Sequence, residues 1–329
     1  MNTISFWLGN ARSIALPQSM LPALTAVAIA SGSDTFSWSA AAAALAGVAL
    51  SHLGMNLTDD LFDYKVHSGE TRERLAADGI RARIAKYPYL TSGQATIKQL
   101  KTAICVMLAA AAAAGAMLTI MRGATIVWMA LAGLIIGISY SGAPLRLGFR
   151  GLGEAVIFVM FGPLLMTGCY FSAAGTMNPE IAWLSCAVGM LVTNIVYSHS
   201  VMDAAPDSKV GKRTMAHVMG TPRAMIIFSA ILNTGPYALT VLGVILGQLH
   251  AAYLAVLICM PVSLWLVGSL NDFVRGRKTE IRTRPWMGPM GDFDRYREAG
   301  IDWFMLRWLT ARNIVTFFCL ITIAVSIAI

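Results

Sequence analysis

The chain has 329 residues, 57% hydrophobic and only 13% charged, with a formal net charge of +8. Soluble domains carry roughly 25% charged residues, so this composition excludes a water-soluble protein and points to an all-α polytopic membrane protein. The basic excess needs no nucleic-acid partner, because it is accounted for by where the cations fall between the apolar runs.

Crossing a bilayer takes about 20 predominantly apolar residues. Nine segments qualify, near residues 13–31, 37–58, 99–121, 124–142, 153–174, 179–202, 223–247, 249–271 and 303–329. Each is expected to be helical, since lipid offers the backbone no hydrogen-bond partner. With the N-terminus placed inside, the inside segments are 1–12, 59–98, 143–152, 203–222 and 272–302. Of the 25 Lys and Arg, only Arg122 then falls outside. That asymmetry follows the positive-inside rule. It predicts a multi-pass protein of the cytoplasmic (inner) membrane whose polar chemistry faces the cytoplasm.

The first span could be mistaken for a secretory signal cleaved after Ala28-Ile29-Ala30. Pro17, Pro22 and the need for nine spans argue against cleavage. The second span ends in "MNLTDDLFDYKVHSGE", residues 55–70, which places Asp59, Asp60 and Asp63 close together after Asn56 and before Lys65. At 100° per residue, Asn56, Asp59, Asp60 and Asp63 share an arc of about 100°. The third span, with "MLAAAAAAGAML", is rich in small residues that let helices approach closely in lipid. The fourth ends near Tyr140 and runs into a loop carrying Arg146, and the fifth contains Phe158, Phe161 and Tyr170. The sixth holds Tyr197 and His199 and ends in "MDAAPDSKVGKRT", residues 202–214. Here the second motif's pattern repeats: Asp59, Asp63, Lys65 and Val66 match Asp203, Asp207, Lys209 and Val210. Four spans separate the copies, which keeps their orientation. The expected architecture is therefore two pseudo-repeated four-helix halves plus a ninth helix, as a single domain over 1–329 with a central chamber and a cytoplasmic polar cap. Before the last span, residues 272–302 form an unusual polar loop broken by Pro285, Gly288, Pro289 and Gly291. One or two short interfacial helices are expected there, with Trp286 and Trp303 at headgroup level. The five cysteines (Cys105, Cys169, Cys186, Cys259 and Cys319) lie in apolar segments without metal or disulfide spacing and read as packing residues.

Solvated charges capping helix ends would be the plain explanation of the aspartates. Carboxylates at a helix C-terminus, however, oppose the macrodipole, and five of them in a repeated pattern need another reason. Two acidic faces sharing a chamber would repel unless a cation sat between them. Carboxylate oxygens and the Asn56 carbonyl are hard ligands suited to Mg²⁺, and Mg²⁺ so held usually also binds phosphate. Lys65, Arg146, Lys209, Lys212 and Arg213 ring the same face, so the set describes a diphosphate site. At a membrane surface beside apolar helices, a diphosphate implies a lipid diphosphate. Metal and cations would stabilise the leaving diphosphate, and an allylic tail would leave a cation that aromatic faces can stabilise. Phe158, Phe161, Tyr140, Tyr170 and Tyr197 are candidates for those faces or for packing.

These stretches resemble the UbiA superfamily of intramembrane prenyltransferases, from about residue 7 to 272. They are closest to the branch that prenylates 1,4-dihydroxy-2-naphthoate in menaquinone synthesis. "ARSIALPQSMLPAL", "NLTDDLFDYKVHSGE", "YSGAPLRLGFRGLGEAVIFVMFGPLLMTGCYF" (140–171) and "DAAPDSKVGKRTMAHVMG" carry the resemblance. It implies a nine-helix bundle around a chamber. It also implies that Asn56, Asp60, Asp63, Asp203 and Asp207 bind Mg²⁺ and diphosphate. Asp59 stands where the branch often has Asn, and Tyr140 and Arg146 lie in a loop that helps hold the diphosphate. Where the branch reads Asn-Asn-x-Arg-Asp into its second motif, this chain has His199-Ser200-Val201-Met202-Asp203. His199 is either a polar contact of the site, beside the acceptor, or an ordinary helix histidine. The expected activity is Mg²⁺-dependent transfer of a polyprenyl group from a polyprenyl diphosphate to an aromatic acceptor, dihydroxynaphthoate with loss of its carboxylate. The partners are the diphosphate, the acceptor and membrane lipid. The rival readings are another acceptor (hydroxybenzoate or homogentisate), a terpene cyclase of the same superfamily, and an ion or lipid transporter. A transporter would want ionisable groups near the bilayer midplane, whereas these sit at inner helix ends.

Overall fold

Helix boundaries follow capping chemistry carried by the sequence. The computed structural model describes residues 3–65, 87–209 and 211–329, and among them the regular structure is helical apart from one isolated backbone bridge, Arg150 to Arg213. Val66 and Val210 of the repeated pattern, the Lys65 side chain and most of the loop after the second span lie outside the described residues.

In chain order the helices are α1 (Thr3–Asn10), α2 (Pro17–Ala30), α3 (Trp38–Lys65), α4 (Pro88–Thr91), α5 (Ile97–Arg122) and α6 (Thr125–Ser141). Next comes a run of α7 (Gly153–Val159), a π turn (Met160–Leu164) and α8 (Leu165–Ala174). They are followed by α9 (Pro179–Met202), α10 (Ala204–Lys209), α11 (Met215–Met219) and α12 (Pro222–Ile245). A 3₁₀ segment (Ala251–Cys259) leads into α13 (Met260–Val274), and α14 (Phe293–Glu298) and α15 (Asp302–Ala328) complete the chain.

Seven helices are long and apolar enough to cross a membrane. The first and fourth expected spans are shorter, at 14 residues in α2 and 17 in α6. At 1.5 Å per residue α2 rises about 21 Å, short of the ~30 Å hydrocarbon core. The second span extends past its expected end. α3 runs on to Lys65, so the first motif occupies its last two turns. The eighth is only half α-helical, because Ala251–Cys259 takes the tighter 3₁₀ form, uncommon in runs this long.

The described chain forms two compact units, Met1–Leu147 with Leu164–Met177, and Gly148–Pro163 with Asn178–Ile329. The expected division after the fourth span thus falls inside the fifth, at the π turn containing Pro163. A proline inside a helix removes a backbone hydrogen bond, and π turns of this kind are local insertions in α-helices.

In the first unit, α3 packs along α5 and α2 along α8. Small residues allow the close approach: a Cβ on Gly54 would stand 2.8 Å from Leu108, and Gly47 faces Ala114. The Thr96–Gln99 capping box starts α5, satisfying donors a helix start leaves open. At its other end Arg122, the single outside cation, donates to the carbonyls of Ser172 (2.8 Å), Ala173 (2.5 Å) and Thr35 (3.0 Å). Those carbonyls close α8 and have no intrahelical donor, so Arg122 is kept as a cap.

In the second unit α9 is central, with 72% of its apolar window buried, and it packs against α7, α12 and α15. Asn194 and Asn233 exchange a reciprocal pair of amide hydrogen bonds at 3.0 Å between α9 and α12. Residues 272–302 hold a 3₁₀ turn at Pro285–Met287 and the short α14, as the breaker residues predicted.

The tightest helix contact is between Gly162 and Gly189, where a Cβ on Gly162 would lie 2.6 Å from both the Gly189 Cα and the Ser185 carbonyl. Gly162→Val is expected to cost about 1–3 kcal/mol through overpacking. Gly115, with open space around its Cβ, should accept valine at little cost. Thermal unfolding of the two detergent-solubilised variants checks this, and equal midpoints would refute the close crossing.

Candidate active site

The first motif is built on the end of α3. Asp60 and Asp63 are 3% and 1% exposed, and a carboxylate removed from water needs charge and hydrogen-bond compensation. Arg12 supplies it. Its Nη2 donates to the Asn56 carbonyl (2.7 Å), to Asp60 Oδ1 (3.1 Å) and to Asp59 Oδ2 (3.4 Å). Asp60 Oδ2 accepts from the Tyr89 hydroxyl at 3.1 Å, and Asp59 Oδ1 accepts from the Ser141 hydroxyl. Asn56 Nδ2 donates to the Ala11 carbonyl at 2.9 Å, binding the N-terminal segment to α3. Burial works against the Arg12 charge, but Asp60, Asp59 and Asp63 outweigh it and hold its pKa above the ordinary arginine value. Burial and then Asp60 push the Tyr89 phenol up, so it stays a proton donor.

Backbone strain gathers in this unit. Among the described residues, the non-glycine positions with positive φ are Arg12 (58°), Tyr87 (51°) and Arg146 (42°). Each such left-handed residue costs on the order of 1 kcal/mol and persists where surroundings over-determine it, often at functional sites. Arg12 is held by the carboxylates. Tyr87 lies edge-on to Tyr64 (5.5 Å), its hydroxyl 3.5 Å from the Asp63 carbonyl. Arg146 donates its backbone N–H to Gly142 in the loop after α6, where Tyr140, like Arg146, is half-buried.

The second motif lies where α9 ends. Asp203 is the residue after the last helical turn (φ −97°, ψ 11°), and Asp207 sits one turn on, in α10. Their exposures are 1% and 0%. His199 Nε2 is 3.0 Å from Asp203 Oδ2, and the edge-on Phe304 ring holds the imidazole in place. Lys212 Nζ is 3.3 Å from Asp207 Oδ2. The Gly-Lys-Arg-Thr tail is fastened by its backbone. Arg213 N–H donates to Phe149 (3.3 Å), and Gly151 N–H donates to Arg213 (2.7 Å). Glu154, 2% exposed at the start of α7, accepts from the Ser200 hydroxyl (2.8 Å) and from Met215 N–H (3.2 Å). His217 Nε2, 2.8 Å from the Ala204 carbonyl, ties α11 to the start of α10.

Within the first unit the structure therefore brings Asn56, Asp59 and Asp60 onto one cation. Within the second it brings Asp203 to His199 and Asp207 to Lys212. Lys209 and Arg213 are exposed. Tyr197 is fully buried, donates to the Met225 carbonyl at 2.9 Å and meets Phe228 edge-on, so it bridges α9 and α12. Phe158 packs beside Gly189, Phe161 is half-buried in the π turn, and Tyr170 is buried in α8. Arg12, Tyr89, Ser141 and Glu154 were not singled out by the sequence reading. Arg12 and Glu154 stand inside the quoted stretches, but nothing in their spacing assigns them partners.

The donors suit a hard divalent cation in kind, being buried carboxylates with an amide beside them. In the present arrangement arginine, histidine and lysine stand on these oxygens. Among the described residues no three Asp, Glu, His or Cys side chains converge on one point.

The UbiA prenyltransferase family profile matches residues 19–288. The chain belongs to the UbiA prenyltransferase family. It is similar to 1,4-dihydroxy-2-naphthoate octaprenyltransferase of Mycobacterium tuberculosis, 25% identical over 70% of this chain and 76% of that protein. The protein of the same description from Escherichia coli is 24% identical over 69% and 72%. Among solved structures, a UbiA homolog from Archaeoglobus fulgidus bound to GPP and Mg²⁺ superposes with a TM-score of 0.58. It covers 98% of this chain and 99% of that one at 16% identity, a likeness of fold. The protein is thus a multi-pass prenyltransferase with the UbiA fold.

Arg12→Gln would remove the cation from Asp59 and Asp60. Breaking a fully buried pair costs about 3–5 kcal/mol. Arg12 keeps 28% side-chain exposure, so solvent screening lowers the expected loss to about 2 kcal/mol. Unfolding of the detergent-solubilised variant measures it. An unchanged midpoint would show that Asp60 is compensated elsewhere.

Proposed function

We propose that this protein transfers a polyprenyl group from a polyprenyl diphosphate to 1,4-dihydroxy-2-naphthoate, with loss of the acceptor's carboxylate. The observation that carries this is the pair of buried carboxylate sets, each at the end of a membrane-spanning helix and each neutralised by a cationic side chain. The relatives named above support the acceptor, and the homolog bound to GPP and Mg²⁺ supports a prenyl diphosphate donor and a divalent metal.

Asn56, Asp59, Asp60 and Asp63 in one motif, and Asp203 and Asp207 in the other, would hold Mg²⁺ and through it the diphosphate. Bound Mg²⁺ would neutralise the charge that builds on the leaving diphosphate. Lys65, Tyr140, Arg146, Lys209, Lys212 and Arg213 would hold the diphosphate oxygens. The prenyl C–O bond breaks with its electron pair leaving on the diphosphate. The ring carbon bearing the carboxylate forms the new C–C bond, and CO₂ departs with its former bond pair returned to the ring. Phe158, Phe161, Tyr197 and His199 would line the path of the chain or ring. The two shorter apolar helices complete nine membrane crossings in this reading, with the N-terminus and both motifs facing the cytoplasm from the inner membrane, under a polar cap.

Purified protein with Mg²⁺, a polyprenyl diphosphate and a panel of hydroxylated aromatic acids should give a prenylated naphthoate product lacking the mass of one carboxylate. Chelator should abolish turnover and Mg²⁺ restore it. Asp60→Ala and Asp203→Ala should each lower kcat by about 10²–10³, the scale of removing one group that stabilises transition-state charge. A prenylated hydroxybenzoate or homogentisate would move the acceptor, and a cyclic hydrocarbon formed without acceptor would replace transfer by cyclisation. Near-normal kcat in both variants would remove the carboxylates from the reaction.

A further inference from the structure

The segment joining α13 to α15 holds a feature that prenyl transfer does not use. Between Arg275 and Arg284 lie five cations (Arg275, Arg277, Lys278, Arg282 and Arg284) against one acid, Glu280. The chain leaves α13 after Val274 and re-enters at Asp302, and Phe273 and Trp303 stack face to face at 5.4 Å and 4°. Both ends of the strap therefore sit at one level, the end of two membrane-spanning helices. Trp286 is 42% exposed and meets Trp265 edge-on at 5.5 Å, and tryptophan is favoured at membrane interfaces.

Under the strap is a cavity of about 320 Å³. One wall is a single face of α13 formed by Trp265, Gly268, Ser269 and Asp272, and the other includes Thr279, Arg282 and Arg284 of the strap. From Trp265 to Asp272 the helix rises about 10 Å, so the cavity runs from the apolar part of α13 to its polar end. Apolar walls at depth (Trp265, Gly268, Met287) and guanidinium groups at the mouth fit an amphiphile with an anionic head better than a soluble anion. The lining acids are answered locally. Arg277 pairs with Asp272 at 3.3 Å, and Arg282 stands 4.0 Å from Glu280 in a wide, exposed pair of little strength. Among the described residues Lys278 and Arg284 form no ion pair. Arg307, 2% exposed, fixes the wall from behind through the Ser269 carbonyl (3.2 Å) and the Thr279 hydroxyl (3.1 Å).

We propose that this cavity binds the phosphate headgroup and upper chain of an anionic phospholipid, with Arg284 and Arg282 on the phosphate and Trp265 and Gly268 against the glycerol and chain. The contact would hold the strap down on the membrane beside the last helix.

The test uses the full chain in nanodiscs of phosphatidylcholine with a minor share of phosphatidylglycerol, and reads the lipid retained after gentle detergent extraction by native mass spectrometry. Wild type should retain phosphatidylglycerol enriched over the bulk ratio. Arg282→Gln/Arg284→Gln should lower that enrichment by about fivefold per cation removed, the worth of one cation at an anionic surface. Gly268→Leu should lower it as well without changing charge, by filling the cavity, since nothing lies within 4 Å of a Cβ built there. Arg295→Gln/Arg297→Gln, on α14 away from the cavity, should leave it unchanged. Equal loss in the α14 variant, or unchanged enrichment in Gly268→Leu, would reduce the effect to general surface charge and overturn the site. Loss of enrichment on adding inorganic phosphate at constant ionic strength would assign the cavity to a free anion and also overturn the lipid reading.

Discussion

The structure is organised around a single electrostatic demand: carboxylates carried to the ends of apolar helices and taken out of water must meet positive charge. Desolvating an unpaired carboxylate is far more costly than any one packing contact can repay. Asp60 meets it through Arg12, Asp203 lies against His199 and Asp207 against Lys212. Much of the local chain path follows from these pairings. The N-terminal segment turns at Arg12 in a left-handed conformation, and Asn56 holds Ala11 so that the guanidinium reaches α3. In the second unit, Lys212 reaches Asp207 because the chain around it is fastened to Phe149, Gly151 and Glu154.

The same accounting separates two meanings of the basic residues. The lopsided distribution of Lys and Arg orients a membrane protein as a sum over loops, and any one cation could be exchanged for another if that were all. Contacts show otherwise for several of them. Arg122 closes α8 on the opposite side from its fellows, and Arg307 is buried with donors on Ser269, Trp303 and Thr279. For these residues a planar group with several donors is needed, and lysine could not replace it.

Most span positions and both Asp motifs were legible in the sequence, because hydropathy and repetition are local signals. The helical run through Asp63 was not placed within the second span, since polar residues end an apolar window without ending a helix. The 3₁₀ form of Ala251–Cys259 was invisible for a related reason: its composition is that of any apolar span. Arg12, Tyr89 and Glu154 were missed because their roles depend on distant partners. Arg12 is 48 residues from Asp60 and Glu154 is 61 from Met215, and no spacing rule reaches so far. Tyr197 shows the converse. It reads as an aromatic face available to a cation, yet its hydroxyl is spent on the Met225 carbonyl and its ring on Phe228.

The departure from the naphthoate-branch pattern at His199-Ser200-Val201-Met202 can be followed residue by residue. Ser200 is bonded to Glu154, and Val201 and Met202 are each 4% exposed within the second unit. Three of the four positions therefore serve the packing of α9. His199 alone turns toward chemistry, against Asp203, with Phe304 limiting its rotation. An imidazole there is a weaker and titratable cation where an always-charged arginine would stand one residue before the aspartate. The substitution thus changes how firmly the second motif is neutralised by the protein itself. Its consequence for the reaction runs through the charge on Asp203, and the aromatic ring of the acceptor is left to be selected by other residues.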